Sequence, residues 1–160
     1  IRELISNSSD ALEKLRYAQV QGTANSFSTE ETPMEINIVV DKEKNTLTFY
    51  DNGIGMNKND LVTNLGTIAR SGSKQFVTEQ KDKAVNAEAV EGIIGQFGVG
   101  FYSSFMVSDN VTFESVSALE KKKLKHKWSS DGSGVFSIEK VSLSKKKENE
   151  AKTAAETDAE

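Results

Sequence analysis

From Ile1 to Leu15 the apolar positions Ile1, Leu4, Ile5, Ala11, Leu12 and Leu15 recur at three- and four-residue spacing, which predicts a helix with one buried stripe. Residues Gln21 to Pro33 are rich in Ser, Thr, Gly and Asn and end in the only proline, so they read as a loop or insertion. The period then changes to two. Ile36, Ile38 and Val40 form one alternating run, Leu47 and Phe49 another, and polar Asp41 to Asn45 separates them, which predicts an antiparallel hairpin. Asp51-Asn-Gly-Ile-Gly-Met56 is too glycine-rich to prolong the second strand, and a helix is predicted from Asn59 to about Ile68. Between Arg70 and Gly92 no period is sustained, so this stretch reads as mobile. Gly95-Gln-Phe-Gly-Val-Gly-Phe101 leads into the apolar run Tyr102 to Val107, where a further helix is expected directly after the glycines. Val111 to Val116, Leu124 to Trp128 and Val135 to Ile138 read as three more strands, the last two joined across Asp131-Gly-Ser-Gly134. The outline is α+β: a two-layer α/β sandwich with helices packed on one face of a mainly antiparallel sheet.

One domain is expected over residues 1–144. Lys145 to Glu160 combines Lys, Glu, Ala and Thr without aromatics and is expected to be a disordered charged tail. The chain opens on Ile1 already inside a helical pattern, so a fragment truncated at both ends is expected. With no cysteine and a single histidine, thiolate zinc sites, disulfide frameworks, cysteine nucleophiles and multi-histidine metal centres are excluded. Any chemistry rests on carboxylates, amides, hydroxyls and backbone. A net charge of −4 gives no long-range attraction for nucleic acid. No apolar run approaches the roughly 18 residues of a membrane span.

Chemistry-bearing residues concentrate in two places. Eight of the eleven glycines fall between Gly53 and Gly100, and glycine gathers where backbone takes positive φ or approaches a ligand closely. In the first helix, Glu3, Asn7 and Asp10 are spaced i, i+4, i+7 and fall within about 60° of one another, on a face away from the apolar stripe. A solvated polar face is the simplest reading of that spacing. Against it, Ser6-Asn-Ser-Ser-Asp10 is a run of middling to poor helix formers, each costing on the order of 0.5 kcal/mol relative to alanine.

Together these features outline a nucleotide site. Backbone N–H groups at Gly98, Val99, Gly100 and Phe101 can hold phosphates at a helix N-terminus. The amide oxygen of Asn7 suits Mg²⁺, which takes few protein ligands and fills its shell with phosphate and water. Asp51, at a strand end beside Gly53 and Gly55, can accept a hydrogen bond from an exocyclic amine, which favours adenine over guanine. Glu3 is then the candidate general base that aligns a water on the terminal phosphate. The Gly95 loop lacks the Gly-Lys-Ser/Thr of a P-loop, and its glycine order and context differ from a dinucleotide fingerprint.

At Ile1-Arg-Glu-Leu-Ile-Ser-Asn-Ser-Ser-Asp-Ala-Leu12, Asp51-Asn-Gly-Ile-Gly-Met56, Asn64-Leu-Gly-Thr-Ile-Ala-Arg-Ser-Gly-Ser-Lys74 and Gly95-Gln-Phe-Gly-Val-Gly-Phe-Tyr-Ser103 the chain resembles the N-terminal ATP-binding domain of heat-shock protein 90 chaperones. That superfamily is shared with gyrase, MutL proteins and histidine kinases. The resemblance runs in register from Ile1 to Ile138. It implies that Glu3 activates water, that Asn7 ligates magnesium and that Asp51 binds adenine. It further implies that Gly55, Met56 and Asn64 line the adenine and ribose pocket with Asp10 and Ala11 on its wall. Residues from Arg70 to Gly95 would be a lid over bound ATP or ADP. Gly98 to Phe101 would contact phosphate. The implied partners are nucleotide and client proteins, with a homodimer in the full-length parent. The implied location is mitochondrial or cytoplasmic, because Ala69 to Lys74 and Trp128 to Phe136 look most like the mitochondrial paralogue.

Departures from the family pattern temper the expectation. The family's strand before Ile1 is expected to be missing, and the chain after Ile138 passes into Lys145-Lys-Lys-Glu where the family's Gly-Thr strand is expected. Nucleotide binding at reduced affinity with negligible turnover is therefore expected. The alternatives are a non-catalytic truncated paralogue that binds nucleotide or unfolded protein, and a MutL- or gyrase-type ATPase. Lys121, Lys122, Lys123, Lys125 and Lys127 read as solubilising, His126 as exposed, and Trp128 as packed on the sheet. Phe97, Phe101, Tyr102, Phe105 and Met106 read as core packing around the glycine loop.

Overall fold

A computed structural model describes residues 1–24, 33–66 and 100–142. The expected lid (70–95), the tail, and Arg70, Gly98 and Val99 lie outside the described residues. Helix α1 spans Arg2–Val20, five residues beyond the expected end, because nothing interrupts it before Gln21 at its C-cap and Gly22 at φ +66°. Its apolar stripe is only partly covered: Leu15, Tyr17 and Ala18 are buried, but Ile1 is 71 % exposed and Ile5 lies at the surface too.

Strands β1 (Ile36–Asp41) and β2 (Thr46–Asp51) pair antiparallel, Ile36 opposite Asp51 and Asp41 opposite Thr46. Their turn is closed by Asp41 Oδ1, which accepts the N–H groups of Lys44 at 2.9 Å and Glu43 at 3.1 Å. The Lys44 N–H and ammonium, with the Glu43 N–H, hold the Asp41 carboxyl below the ordinary carboxylate range. Asn45 completes the turn at φ 51°, a left-handed conformation that asparagine tolerates.

Helix α2 spans Lys58–Leu65 and begins in a reciprocal capping box: Asn57 Oδ1 accepts the Asp60 N–H, and Asp60 Oδ2 accepts the Asn57 N–H, both at 3.0 Å. The run after the second glycine cluster forms a 3-10 helix over Gly100–Met106, tighter than the α-helix its apolar pattern suggests. Strands β3 (Val111–Val116), β4 (Lys125–Ser130) and β5 (Ser137–Val141) form a second antiparallel sheet in the order β3-β4-β5. The protein is thus of the expected α+β class with antiparallel strands, divided among the described residues between a two-stranded and a three-stranded sheet.

The core lies on the inner face of the second sheet. Leu61, Leu65 and Trp128 are buried there, flanked by Met56, Phe101, Phe105, Val111, Phe113, Phe136 and Ile138. Phe101 meets Trp128 edge-on at 5.5 Å, and Phe136 stacks on the indole at 6.0 Å. Tyr102 donates its O–H to Leu65 O at 3.2 Å, and burial raises its phenol pKa. Met106, expected in this packing, is exposed. His126, expected at the surface, is buried: period two along β4 turns it inward with Trp128 and leaves Lys125 and Lys127 on the opposite face. Lys125 pairs with Glu114, and Lys127 stands opposite Glu139 in the sheet, so acids interleave these lysines.

Candidate functional site

The turn after β2 is attached on two sides. On one side it meets α1: the Ile54 N–H donates to Ala11 O at 2.9 Å, and a β-carbon at Gly53 would stand 2.6 Å from the Ala11 carbonyl carbon. Only glycine permits that approach. On the other side it meets β3 and the residues after it: the Ala118 N–H donates to Ile54 O at 2.8 Å, and the Met56 N–H donates to Ser115 Oγ at 2.8 Å. Gly55 sits between these attachments at φ +64°, where a β-carbon would fall 2.0 Å from Val116 O. Two independent constraints, the left-handed conformation and the contact, therefore require glycine there.

Asp51, at the end of β2, uses Oδ1 to accept the Gly53 N–H at 3.0 Å, which fixes the carboxylate at the mouth of the turn. Asn52 ties the entry to the hairpin, with Oδ1 accepting from Glu35 N–H at 2.9 Å and Nδ2 donating to Pro33 O at 2.8 Å. Asn64 reaches back from α2, its Nδ2 lying 3.6 Å from Met56 Sδ. Met56 and Asn64, both expected in one pocket wall, are thus in contact.

Along α1 the expected polar residues divide. Glu3 and Asn7 are exposed, whereas Asp10 is only 1 % exposed and interacts with Lys14 one turn on. A solvated face describes the first two and not the third. Glu3 lies against the start of the 3-10 helix: a β-carbon at Gly100 would stand 2.8 Å from Glu3 Oε2. Helix α1 therefore meets Gly100 at Glu3 and Gly53 at Ala11, about 12 Å apart along its axis with Asn7 between. Phe101 turns its ring into the core, so any ligand contact there falls to backbone.

This donor set fits a nucleotide and its hard cation in chemical type. Asn7 and Glu3 offer oxygen on an exposed helix face. Among the described residues no group of three or more His, Cys, Asp or Glu is placed to hold a metal, so Mg²⁺ here would draw most of its ligands from phosphate and water.

Sequence reasoning missed two residues of the inner sheet face. Ser115 touches the Met56 backbone from 59 positions away, a contact no local pattern carries. His126 is 7 % exposed, and its Nδ1 has no hydrogen-bond partner among the described residues, as is true of Trp128 Nε1. Its signal was present in the alternation Lys125-His-Lys-Trp128, which places His126 on the face of Trp128.

In this α+β fold one helix bearing an exposed carboxylate and amide lies against Gly53 of the turn after β2 and Gly100 at the start of the 3-10 helix. A family model for the histidine kinase-, DNA gyrase B- and HSP90-like ATPases matches residues 1–157, and the chain belongs to that family. Among curated relatives it is 51 % identical to the mitochondrial heat shock protein 75 kDa of Bos taurus over 143 residues, which is 89 % of this chain and 19 % of the relative. The same protein of Rattus norvegicus is 52 % identical over 143 residues, again 89 % of this chain and 19 % of the relative. The chaperone protein HtpG of Oleidesulfovibrio alaskensis is 48 % identical over 141 residues, 88 % of this chain and 21 % of the relative. The resemblance to heat-shock protein 90 chaperones thus extends over most of the chain, which spans about a fifth of the length of these relatives. No described helix is long and apolar enough to cross a membrane.

Proposed function

We propose that this chain binds ATP or ADP with Mg²⁺ as the nucleotide module of a mitochondrial or cytoplasmic chaperone, whose ATP hydrolysis drives a dimeric clamp on client proteins. The carrying observation is that α1 touches the turn after β2 and the start of the 3-10 helix, with Ala11 against Gly53 and Glu3 against Gly100. The chaperone names of the relatives support the wider role.

In this reading Asp51, held by the Gly53 N–H, accepts a hydrogen bond from the exocyclic amine of adenine. Guanine offers a carbonyl at the equivalent position, and two acceptors facing each other leave the pair unbonded. Ala11, Asp10, Gly55, Met56 and Asn64 wall the base and ribose. Asn7 contributes its amide oxygen to Mg²⁺, which when bound neutralises phosphate charge. Backbone at Gly100 and Phe101 orients the phosphates, and in the full-length parent Glu3, exposed beside Gly100, takes the proton of an attacking water, with little turnover by this chain alone.

Calorimetric titration of the chain with ATP, with and without Mg²⁺, tests this. Asp51→Asn is expected to weaken ATP binding roughly five- to a hundredfold, since the amine loses its charged acceptor. Asn7→Ala is expected to shrink the gain in affinity that Mg²⁺ brings. Undiminished binding by Asp51→Asn would remove adenine recognition from Asp51.

A further inference from the structure

We infer that Ser115 is a positioning residue for the purine pocket, its hydroxyl fixing the backbone of Met56 at the wall that Met56 and Asn64 form. The inference rests on the nucleotide reading above and deepens it. Among the described residues, three hydrogen bonds tie the backbone of Ile54 and Met56 to α1 and to the β3 side: Ile54 N–H to Ala11 O, Ala118 N–H to Ile54 O, and Met56 N–H to Ser115 Oγ. The first two run from backbone to backbone and draw on no side-chain atom. Of these three only the last depends on a side chain, and it lands on Met56.

Ser115 is suited to this task. It is buried on the inner face of β3, and its Oγ would also lie 3.2 Å from a β-carbon at Gly55, so it abuts two successive residues of the turn. Directly across the strand pair stands His126, buried and with an Nδ1 unpartnered among the described residues, while the hydroxyl bonds to Met56. Asn64 meanwhile contacts the far end of the same methionine at Sδ. Met56 is thus fixed at its backbone by Ser115 and met at its thioether by Asn64. Loss of the hydroxyl frees the Met56 amide and lets the wall shift against the base.

Thr and Val at position 115 separate the hydroxyl from its shape, because both carry the same branched volume and only Thr can accept the bond. Mg²⁺–ATP affinity is measured by calorimetry for the unsubstituted chain, Ser115→Thr and Ser115→Val, at a temperature where circular dichroism shows each folded. Ser115→Val is expected to bind roughly three- to tenfold more weakly than Ser115→Thr. Equal affinities overturn the inference while leaving nucleotide binding in place. Failure of the unsubstituted chain to bind ATP removes the nucleotide reading and this inference with it. Should the variants not fold, amide exchange in the unsubstituted chain decides. Slow exchange at Met56 supports the clamp, and exchange at the rate of an unbonded, solvated amide overturns it.

Discussion

Burial holds the Lys14 ammonium below its ordinary pKa of 10.5, and the Asp10 carboxylate one helical turn earlier pulls upward without cancelling it. Because the folded pKa is the lower one, the unfolded chain binds more protons in the interval between the two. Stability therefore rises with pH from the lowered folded value up to 10.5, and the penalty is fully present below that interval. Urea denaturation across the alkaline range is expected to show this positive slope, and Lys14→Met to flatten it; an unchanged slope in the variant would assign the effect elsewhere. At this scale the legible residues were those of unexpected type for their place. A Ser-Asn-Ser-Ser-Asp run in a helix singles out Asn7 and Asp10 as candidates, and glycines after a strand single out Asp51 and Gly55, without any knowledge of contacts. The burial of Asp10 was not legible, because helical spacing places it with exposed Glu3 and Asn7, and only the packing around the middle of α1 separates them.

Among the elements, α2 shows how a short helix is held beside a site. Eight residues cannot sustain a helix alone, so its cap and its two buried leucines carry it. Asn57→Ala removes the acceptor for the Asp60 N–H and breaks the reciprocal pair, at an expected cost of about 1 kcal/mol in chemical denaturation. Since α2 carries Asn64, the same variant is also expected to loosen ATP binding; a stability loss without any change in affinity would separate the cap from the pocket. The helix periods and the hairpin were readable because one face or one turn decides each of them. Assignment of the strands to two sheets was not readable, because alternation marks a strand's faces and says nothing of its lateral neighbours. The 3-10 geometry of Gly100–Met106 escaped for a related reason: apolar runs carry no mark that separates a tight helix from an α-helix.

For the molecule as a whole, the two sheets share no ladder hydrogen bond among the described residues, where α1 and the Gly53–Met56 turn lie between them. Helix α1 packs on the hairpin and on the 3-10 helix, while the turn takes bonds from α1 on one side and from Ser115 and Ala118 on the other. A ligand seated between Glu3, Asn7 and this turn bridges the same junction, so it stabilises contacts on which both halves depend. At a free ATP concentration a hundred times its dissociation constant, binding to the folded state alone adds about 2.7 kcal/mol. For a chain of this length that corresponds to a rise in Tm of roughly 5 to 10 °C. Thermal unfolding followed by far-ultraviolet circular dichroism is expected to show the rise as a single transition with Mg²⁺–ATP. The indole emission of Trp128, which lies in the second sheet, should shift with it. If the circular dichroism midpoint rises while the Trp128 transition stays where it was, the ligand is stabilising the hairpin side alone and the junction is not where it binds.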